Sequence, residues 1–496
     1  MKELARPGTG AESAGIGRSH SAGAMLAVAV LGASMAFVDL TIVNISIPSI
    51  ARSFAGSRLS GVSWVLNAYN VVFAAFLVGG GQLADVLGRR RVFMSALVLF
   101  MLASLLCALA PSLGVLIIAR VVQAGGAAML IPSSLAIVLH VRPVAERAHA
   151  ASLWAAAAAA AAGIGPPLGG VLITISSWRL VFLVNLPVGA LALVLARRVL
   201  SESRSPGDGR LPDLLGEVVL AAAIASLVLA IVNGQEWGWT SARVLGAFLA
   251  SLLLGGCFAV RTRTRPTALI DLSLLRIRAF AASNATTLVM ATGFYAYTLC
   301  NVLFLTEVWR YSILQAGLAL TPGPVTAMVV AGAAGRVIGR VGHRPISVVG
   351  ALVWAGGMVY FASSLGADPD FLGQWLPGIV VLGVGAGLAF PSVTGVAVLA
   401  VPGHRYALAS ALNSVARQLG AALGVALLVA IVGNPSPAHA LQAFRSGWVF
   451  AACCFLAGAC GCAALKVRAH GAAEAEPMPA VERAEPASVA EGAQII

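Results

Sequence analysis

Apolar runs of about 20 residues recur along almost the whole of this chain, each long enough to cross a bilayer as a helix. Fourteen can be placed, at roughly 24–47, 62–81, 92–110, 113–138, 148–174, 179–196, 214–233, 242–260, 280–305, 313–335, 345–365, 372–398, 406–432 and 447–465. Of 496 residues 59% are hydrophobic and only 10% charged, with a mean hydropathy of +0.92, far from a soluble mixture. The expected fold class is an all-α polytopic membrane protein. The first run is too long for a cleavable leader and lacks a small-residue cleavage site behind a short core. It is therefore read as the first span.

A formal charge of +13 would point to nucleic acid in a soluble chain. Its distribution here points to the bilayer. With the N-terminus placed inside, inner segments hold roughly 24 of the 32 Lys and Arg, outer loops about 6 and spans two. The inner arginines include Arg89, Arg90 and Arg91, then Arg197 and Arg198, then Arg261, Arg263 and Arg265. The loop around Asp368 and Asp370 carries no Lys or Arg and falls outside. The basic balance thus reads as topology: a cell-membrane protein with both ends cytoplasmic and no nucleic-acid partner. The seven cysteines lie in apolar runs without metal spacing to a histidine and read as small buried hydrophobes. No nucleophile–base pair or metal cluster stands out. An enzyme is not expected, nor a metal or organic cofactor.

The fifth span is unusual. Ala155–Ala162 is pure alanine, followed by Gly163-Ile164-Gly165-Pro166-Pro167-Leu168-Gly169-Gly170. Such a helix lets a neighbouring backbone come very close. Two prolines remove donors and bend it, which lipid tolerates only where protein or a cavity surrounds the break. The stretch predicts a buried, kinked, tightly packed helix, and helix packing alone would account for it.

Charges inside spans are costly and mark function by default. Asp39 stands in the first span within Asp39-Leu40-Thr41-Ile42-Val43-Asn44, before Pro48. It is expected to face a cavity and to bind and release a proton. A structural carboxylate held by Asn44, Thr41 or a facing arginine is the alternative. Arg120 stands in span four, three residues before Gln123. Being permanently charged, it can tune a carboxyl but not shuttle the proton. Span thirteen carries Asn413, Ser414, Arg417 and Gln418; Arg417 could snorkel, pair with Asp85 or take part in coupling. Between spans two and three, Gly81-Gln82-Leu83-Ala84-Asp85-Val86-Leu87-Gly88-Arg89-Arg90-Arg91 offers glycines for a tight turn and an aspartate able to pair with an arginine or cap the next helix. Trp178-Arg179 reads as an interfacial pair entering span six, and Trp237 and Trp239 as anchors at the outer interface.

The chain also repeats itself. Gly335, Gly342, His343 and Arg344 echo Gly81, Gly88, Arg89 and Arg90, while Gly339 stands for Asp85. Gly385, Gly387 and Pro391 fall in step with Gly126, Ala128 and Pro132, and Gly424 with Gly165. Ile379 lines up with Arg120, so the second half lacks that charge. The expected organisation is a cytoplasmic arm over 1–22, a six-helix bundle over 23–199, a linker with two extra helices over 200–265, a second six-helix bundle over 266–466 and a disordered tail over 467–496.

Taken together these residues resemble the major facilitator superfamily, in its 14-helix drug:proton antiporter branch, over nearly all of 24–465. Gly81–Arg91 resembles the loop 2–3 motif. Arg120–Ala128 resembles the span-four motif. Gly165-Pro166-Pro167-Leu168-Gly169-Gly170 resembles the antiporter motif, and Asp39–Asn44 with Pro48 the span-one signature of the branch. Trp178-Arg179 with Asn185 and Pro187, and the Gly234–Trp239 loop, add to the likeness. Val86 departs by replacing a usual basic residue, and Ala124 by replacing a glycine.

The resemblance implies two six-helix bundles rocking about a central cavity that takes an organic drug or antibiotic from the cytoplasm or inner leaflet. Its exchange would be driven by a proton arriving at Asp39, tuned by Arg120. Thr41, Asn44, Gln123, Asn413 and Arg417 are the cavity candidates; Gly81, Asp85, Gly88, Arg89 and Arg90 form the gating loop; Gly165, Pro166, Gly169 and Gly170 form the antiporter motif. Tyr69, Phe294, Tyr295 and Tyr297 could suit lipophilic or cationic compounds or be ordinary packing. The partners implied are the small substrate and the lipid bilayer, with a monomer as the default. A proton-linked uptake symporter and a membrane sensor that binds a drug without moving it are the rivals.

Overall fold

The computed structural model describes residues 10–54, 56–143, 146–204, 211–264, 274–401, 406–433, 435–436 and 438–464. Its helix starts at Gly10, within the segment read as an arm; the expected tail lies outside the described residues. Among the described residues fourteen helices are long and apolar enough to span a membrane, and each overlaps one run read from the sequence. The first half holds α1 (Gly23–Ser53), α2 (Leu59–Leu87), α3 (Arg89–Leu109), α4 (Leu113–Val141), α5 (Leu153–Ile175) and α6 (Leu180–Val199). Two more follow, α7 (Leu214–Trp237) and α8 (Ala242–Thr264). The second half holds α9 (Arg278–Val308), α10 (Ile313–Gly335), α11 (His343–Ser364), α12 (Phe371–Ala397), α13 (Leu408–Val432) and α14 (Ala440–Ala464).

Contacts sort these helices into two six-helix bundles plus an inserted pair. α1 packs on α4, α5 and α6, and α4 on α2 and α3; α9 packs on α13 and α14, and α12 on α10 and α11. The bundles meet along α2 with α13 and α5 with α10, while α7 and α8 pack on each other and α7 touches both α2 and α13.

Small residues set the distances. A side chain at Gly80 would collide with the Ala128 backbone of α4, and one at Gly126 would press tightly on the Phe100 backbone of α3. The second half repeats this: Gly387 abuts the Ala327 backbone of α10, and Gly385 the Trp354 backbone of α11. Gly165 abuts Thr41 and Ile42 of α1, as Gly424 abuts Thr292 and Ala296 of α9. The glycine steps read as a repeat in the sequence are thus the same helix–helix approaches made twice. Gly88 (φ 112°) and Gly342 (φ 89°) occupy matching turns, in a backbone region costly for any residue with a Cβ.

The expectation that the kink stretch is buried is corrected: Ala155, Ala156, Ala159 and Ile164 are exposed, and only one face of the helix is packed, as a seam. Gly170 lies against Leu314, Gly163 against Pro324, and Gly317 of α10 against the Pro166 carbonyl, so α5 and α10 approach nearly backbone to backbone.

Two further expectations are corrected. Trp178 is 1% exposed and donates to Ser53 Oγ at 2.9 Å, with Arg179 stacked on its ring at 4.4 Å; the indole finds its partner inside the bundle and has no need of the interface. Cys257, Cys453 and Cys460 are exposed on the helix surfaces, as a small apolar side chain can be where the surroundings are lipid.

Candidate functional site

The two charges singled out in the first half meet. Arg120 donates from Nη1 to Asp39 Oδ2 at 2.5 Å, with Asp39 fully buried and Arg120 1% exposed. The same Nη1 donates to Gln123 Oε1 at 2.7 Å, and Nε donates to the Val65 carbonyl at 3.1 Å. Gln123 Nε2 donates to Asp39 Oδ1 at 3.0 Å and to Ser104 Oγ at 2.8 Å. Asn185 of α6 reaches the same Ser104 hydroxyl at 3.3 Å. The guanidinium lies 4.0 Å over the Tyr69 ring and 5.8 Å from that of Phe182. Five helices, α1, α2, α3, α4 and α6, therefore converge on one ion pair.

Helix geometry explains the convergence. Arg120 and Gln123 are three apart and share a face of α4. In a medium without water, each must find partners on its neighbours. The carboxylate, accepting only, receives one donor from each; Gln123 is fixed in orientation because its oxygen is already taken by Arg120. The expectation that Asp39 lines an open cavity is corrected: its two oxygens are enclosed by Arg120 and Gln123. The holder is the facing arginine.

The other first-half candidates lie apart from this network. Thr41 Oγ1 bonds to the Ala162 carbonyl of α5 at 2.8 Å and to the Val38 carbonyl at 3.1 Å. Asn44 folds back on the Leu40 carbonyl at 3.0 Å. Asn413 is 1% exposed in a second, uncharged cluster. It donates to Thr287 Oγ1 at 2.9 Å and Asn284 Oδ1 at 3.4 Å, and accepts from Thr394 at 3.2 Å. Among the described residues no carboxylate lies within 4 Å of Arg417; the reading of Arg417 as a partner of Asp85 is corrected. Asp85 instead accepts from Arg89 Nε at 3.0 Å and Nη2 at 2.8 Å, one helical turn away.

In the gating loop, Gly81 faces Pro132, and the turn at Gly88 is clamped by a residue the sequence reading missed. Glu202 Oε1 accepts from Arg90 N at 3.1 Å and Oε2 from Arg91 N at 3.2 Å; Arg91 Nε stands 3.6 Å away. Arg89 N donates to the Ser203 carbonyl at 2.9 Å, and Arg90 Nη2 to the Arg197 carbonyl at 3.0 Å. A carboxylate 111 residues away caps the start of α3, where free amides favour an anion.

Ser104 and Glu217 were also missed. Ser104 is an isolated hydroxyl in an apolar run, a pattern that costs little and carries no signal. Glu217 is a buried carboxyl inside a span (1% exposed), and the rule that marked Asp39 applies to it equally.

Comparison with known proteins agrees with this architecture. A model of the Major Facilitator Superfamily matches residues 29–283 and 284–494. The "Multidrug resistance protein Stp" of Mycobacterium tuberculosis is 34% identical over 403 residues, 81% of this chain and 74% of that protein. The "Methylenomycin A resistance protein" of Bacillus subtilis is 32% identical over 422 residues, 82% of this chain and 87% of that protein. A crystal structure of a D-xylose-proton symporter superposes with a TM-score of 0.66 at 15% identity, covering 90% of this chain and 98% of that one, a likeness of fold. The chain is a multi-pass membrane protein that belongs to the Major Facilitator Superfamily of transporters.

Proposed function

We propose that this protein exports a small organic drug or antibiotic across the cytoplasmic membrane in exchange for protons, by alternating access, and so confers resistance. The observation that carries the reading is the buried Asp39–Arg120 pair, a carboxylate within a span. The names of its relatives, resistance proteins for several drugs or for methylenomycin A, support the substrate class. Both termini are cytoplasmic in this reading, the units are 23–199, 200–265 and 266–466, and the protein works as a monomer with the proton as coupling ion.

Hydrogen-bond chemistry suggests how a proton would act. Binding to Asp39 converts an oxygen that accepts from Arg120 or Gln123 into a hydroxyl that donates. At that oxygen donor then faces donor and the ion pair is lost, so the carboxyl can part from its partner although its other oxygen still accepts. Arg120 keeps the Val65 carbonyl, the Gln123 oxygen and the Tyr69 face, so α1 is the freer partner to move. A proton shifts the two-state balance only by binding one state better than the other; a state in which Asp39 has left Arg120 meets that requirement.

The test is transport in inverted membrane vesicles with an acidic interior, given a panel of antibiotics and dyes. Substrate-dependent lumenal proton release in the parent, lost in Asp39→Asn, is expected. Full coupling in Asp39→Asn would remove Asp39 from the mechanism. Release in the opposite sense would favour uptake symport, and substrate binding without any release would favour a sensor.

A further inference from the structure

The inserted pair is joined to the rest of the protein through α7, which lies between the bundles, touching α2 of one and α13 of the other. At one end the joint is polar and partnered. Glu236 accepts from Ser60 Oγ at 2.6 Å and pairs with Arg58 at 3.2 Å, and Gln235 donates to the Ala430 carbonyl. The other end is different. Glu217 is 1% exposed, its carboxyl is pressed against Gly79 of α2 where any Cβ would collide with it, and its Oε1 has no hydrogen-bond partner.

Among the described residues, the groups that could hold a charge there are engaged or distant. On α7, Asp213 takes the Gly216 amide at 3.2 Å and both Arg261 Nε and Nη2, at 2.7 Å and 2.6 Å. The Gly216 amide of α7 and Arg261 of α8 are thereby engaged. Arg263 of α8 and Arg417 of α13 stand more than 4 Å from the Glu217 carboxyl, and α2 presents Gly79. The charge that acts on Glu217 is the like charge of Asp213. A carboxylate sealed in apolar packing with neither cation nor full complement of donors is costly; a neutral acid fits the same space.

We propose that Glu217 is a second proton-binding site of this protein, a carboxyl that seats α7 against α2 when it holds a proton and unseats it when it does not. Gly79 is followed by Gly80, itself on the α4 backbone, so unseating α7 releases the helix that packs across to α13. The inserted pair then gates the rocking of the bundles according to proton concentration. This site stands independently of the role given to Asp39.

The experiment uses the full chain in detergent. Thermal unfolding midpoints are measured from mildly acidic to mildly alkaline pH for the parent, Glu217→Gln, Asp39→Asn and the double variant. A proton held in the native state and lost from the unfolded chain makes stability fall as pH rises. Gln copies the neutral acid at all pH values. The midpoint of the parent is therefore expected to fall below that of Glu217→Gln by a gap that grows with each pH unit, and the same growing gap is expected in the Asp39→Asn background. A gap independent of pH would overturn the proposal. So would a gap that vanishes with Asp39→Asn, which would assign the proton to Asp39, or a Glu217→Gln chain that fails to fold, because the neutral isostere must seat as well as the neutral acid.

Discussion

Consider the Asp39–Arg120 pair taken apart one partner at a time. Asp39→Asn removes the counter-charge of a guanidinium that is 1% exposed. The asparagine must also turn an NH2 toward either Arg120 or Gln123, both of which donate to it. Gln123 cannot flip to help without losing the 2.7 Å bond its oxygen receives from Arg120. Removing one partner of a buried pair costs about 3–5 kcal/mol. Arg120 retains the Val65 carbonyl, the Gln123 oxygen and the Tyr69 face, which places Asp39→Asn near the lower end, about 3 kcal/mol. Arg120→Met strands a carboxylate with only the neutral amides of Gln123 and Asn185 beside it and belongs near the upper end, about 5 kcal/mol. The double variant carries neither charge, and replacing a whole buried pair by apolar groups is often neutral. Its cost should fall well below the sum of the singles, leaving an interaction energy of about 3 kcal/mol or more. Reversible unfolding in mixed micelles reads all three. Additive singles, or an Asp39→Asn cost under about 1 kcal/mol, would refute the reasoning, since the pair would then be solvated like a surface bridge.

Three further outcomes are expected. Gly165→Leu should lose transport and destabilise by about 1–3 kcal/mol, because the new side chain meets Thr41 and the Ile42 backbone; normal transport in vesicles would contradict the packing argument. Glu202→Ala should cost about 1 kcal/mol as a lost helix cap, read as a lower unfolding midpoint, with Glu202→Gln intermediate. Gly126→Leu and Gly385→Leu should be similarly damaging, since each drives a side chain into a neighbouring backbone; tolerance at one position only would show that the repeat is not mechanically equivalent.

Much of this was readable in the sequence because lipid is a strict solvent. A span needs about 20 apolar residues, so the fourteen helices announce themselves, and a charge within one is conspicuous. The pairing of Asp39 with Arg120 follows from that cost. What was hidden is what lipid does not penalise. Ser104 carries only a hydroxyl. Trp178 sits beside an arginine in a pattern that fits an interface as well as a core. Glu217 lies near the start of its span, where a charge passes for a loop residue, and Glu202 caps a helix over a hundred residues away, a contact no local pattern encodes. That Arg417 meets no carboxylate among the described residues was equally invisible, since spacing cannot say which charges meet.

The two halves share their backbone approaches but not their chemistry, and this bears on how a proton at Asp39 could matter elsewhere. In the second half Ile379 is buried where Arg120 stands in the first, and aromatic rings fill the core, with Trp354 stacked on Phe455 at 3.7 Å and Tyr297 edge-on to Trp354 at 5.2 Å. Among the described residues the buried core of this half holds no charged side chain, Arg417 of α13 being only half-buried, so that core would have to be moved. The route is short. Thr41 and Ile42, two and three residues from Asp39, lie against Gly165 of α5, and Pro166 of α5 lies against Gly317 of α10 in the other bundle. At each step a glycine meets a backbone or a β-branched residue, so no long side chain can absorb a shift by changing rotamer. A displacement of α1 that freed Asp39 from Arg120 would have to carry α5 with it or open the α1–α5 seam, and α5 would press directly on α10. If Asp39 is the proton site proposed above, the alanine and glycine of span five would serve as the stiff element between the half that holds it and the half that follows.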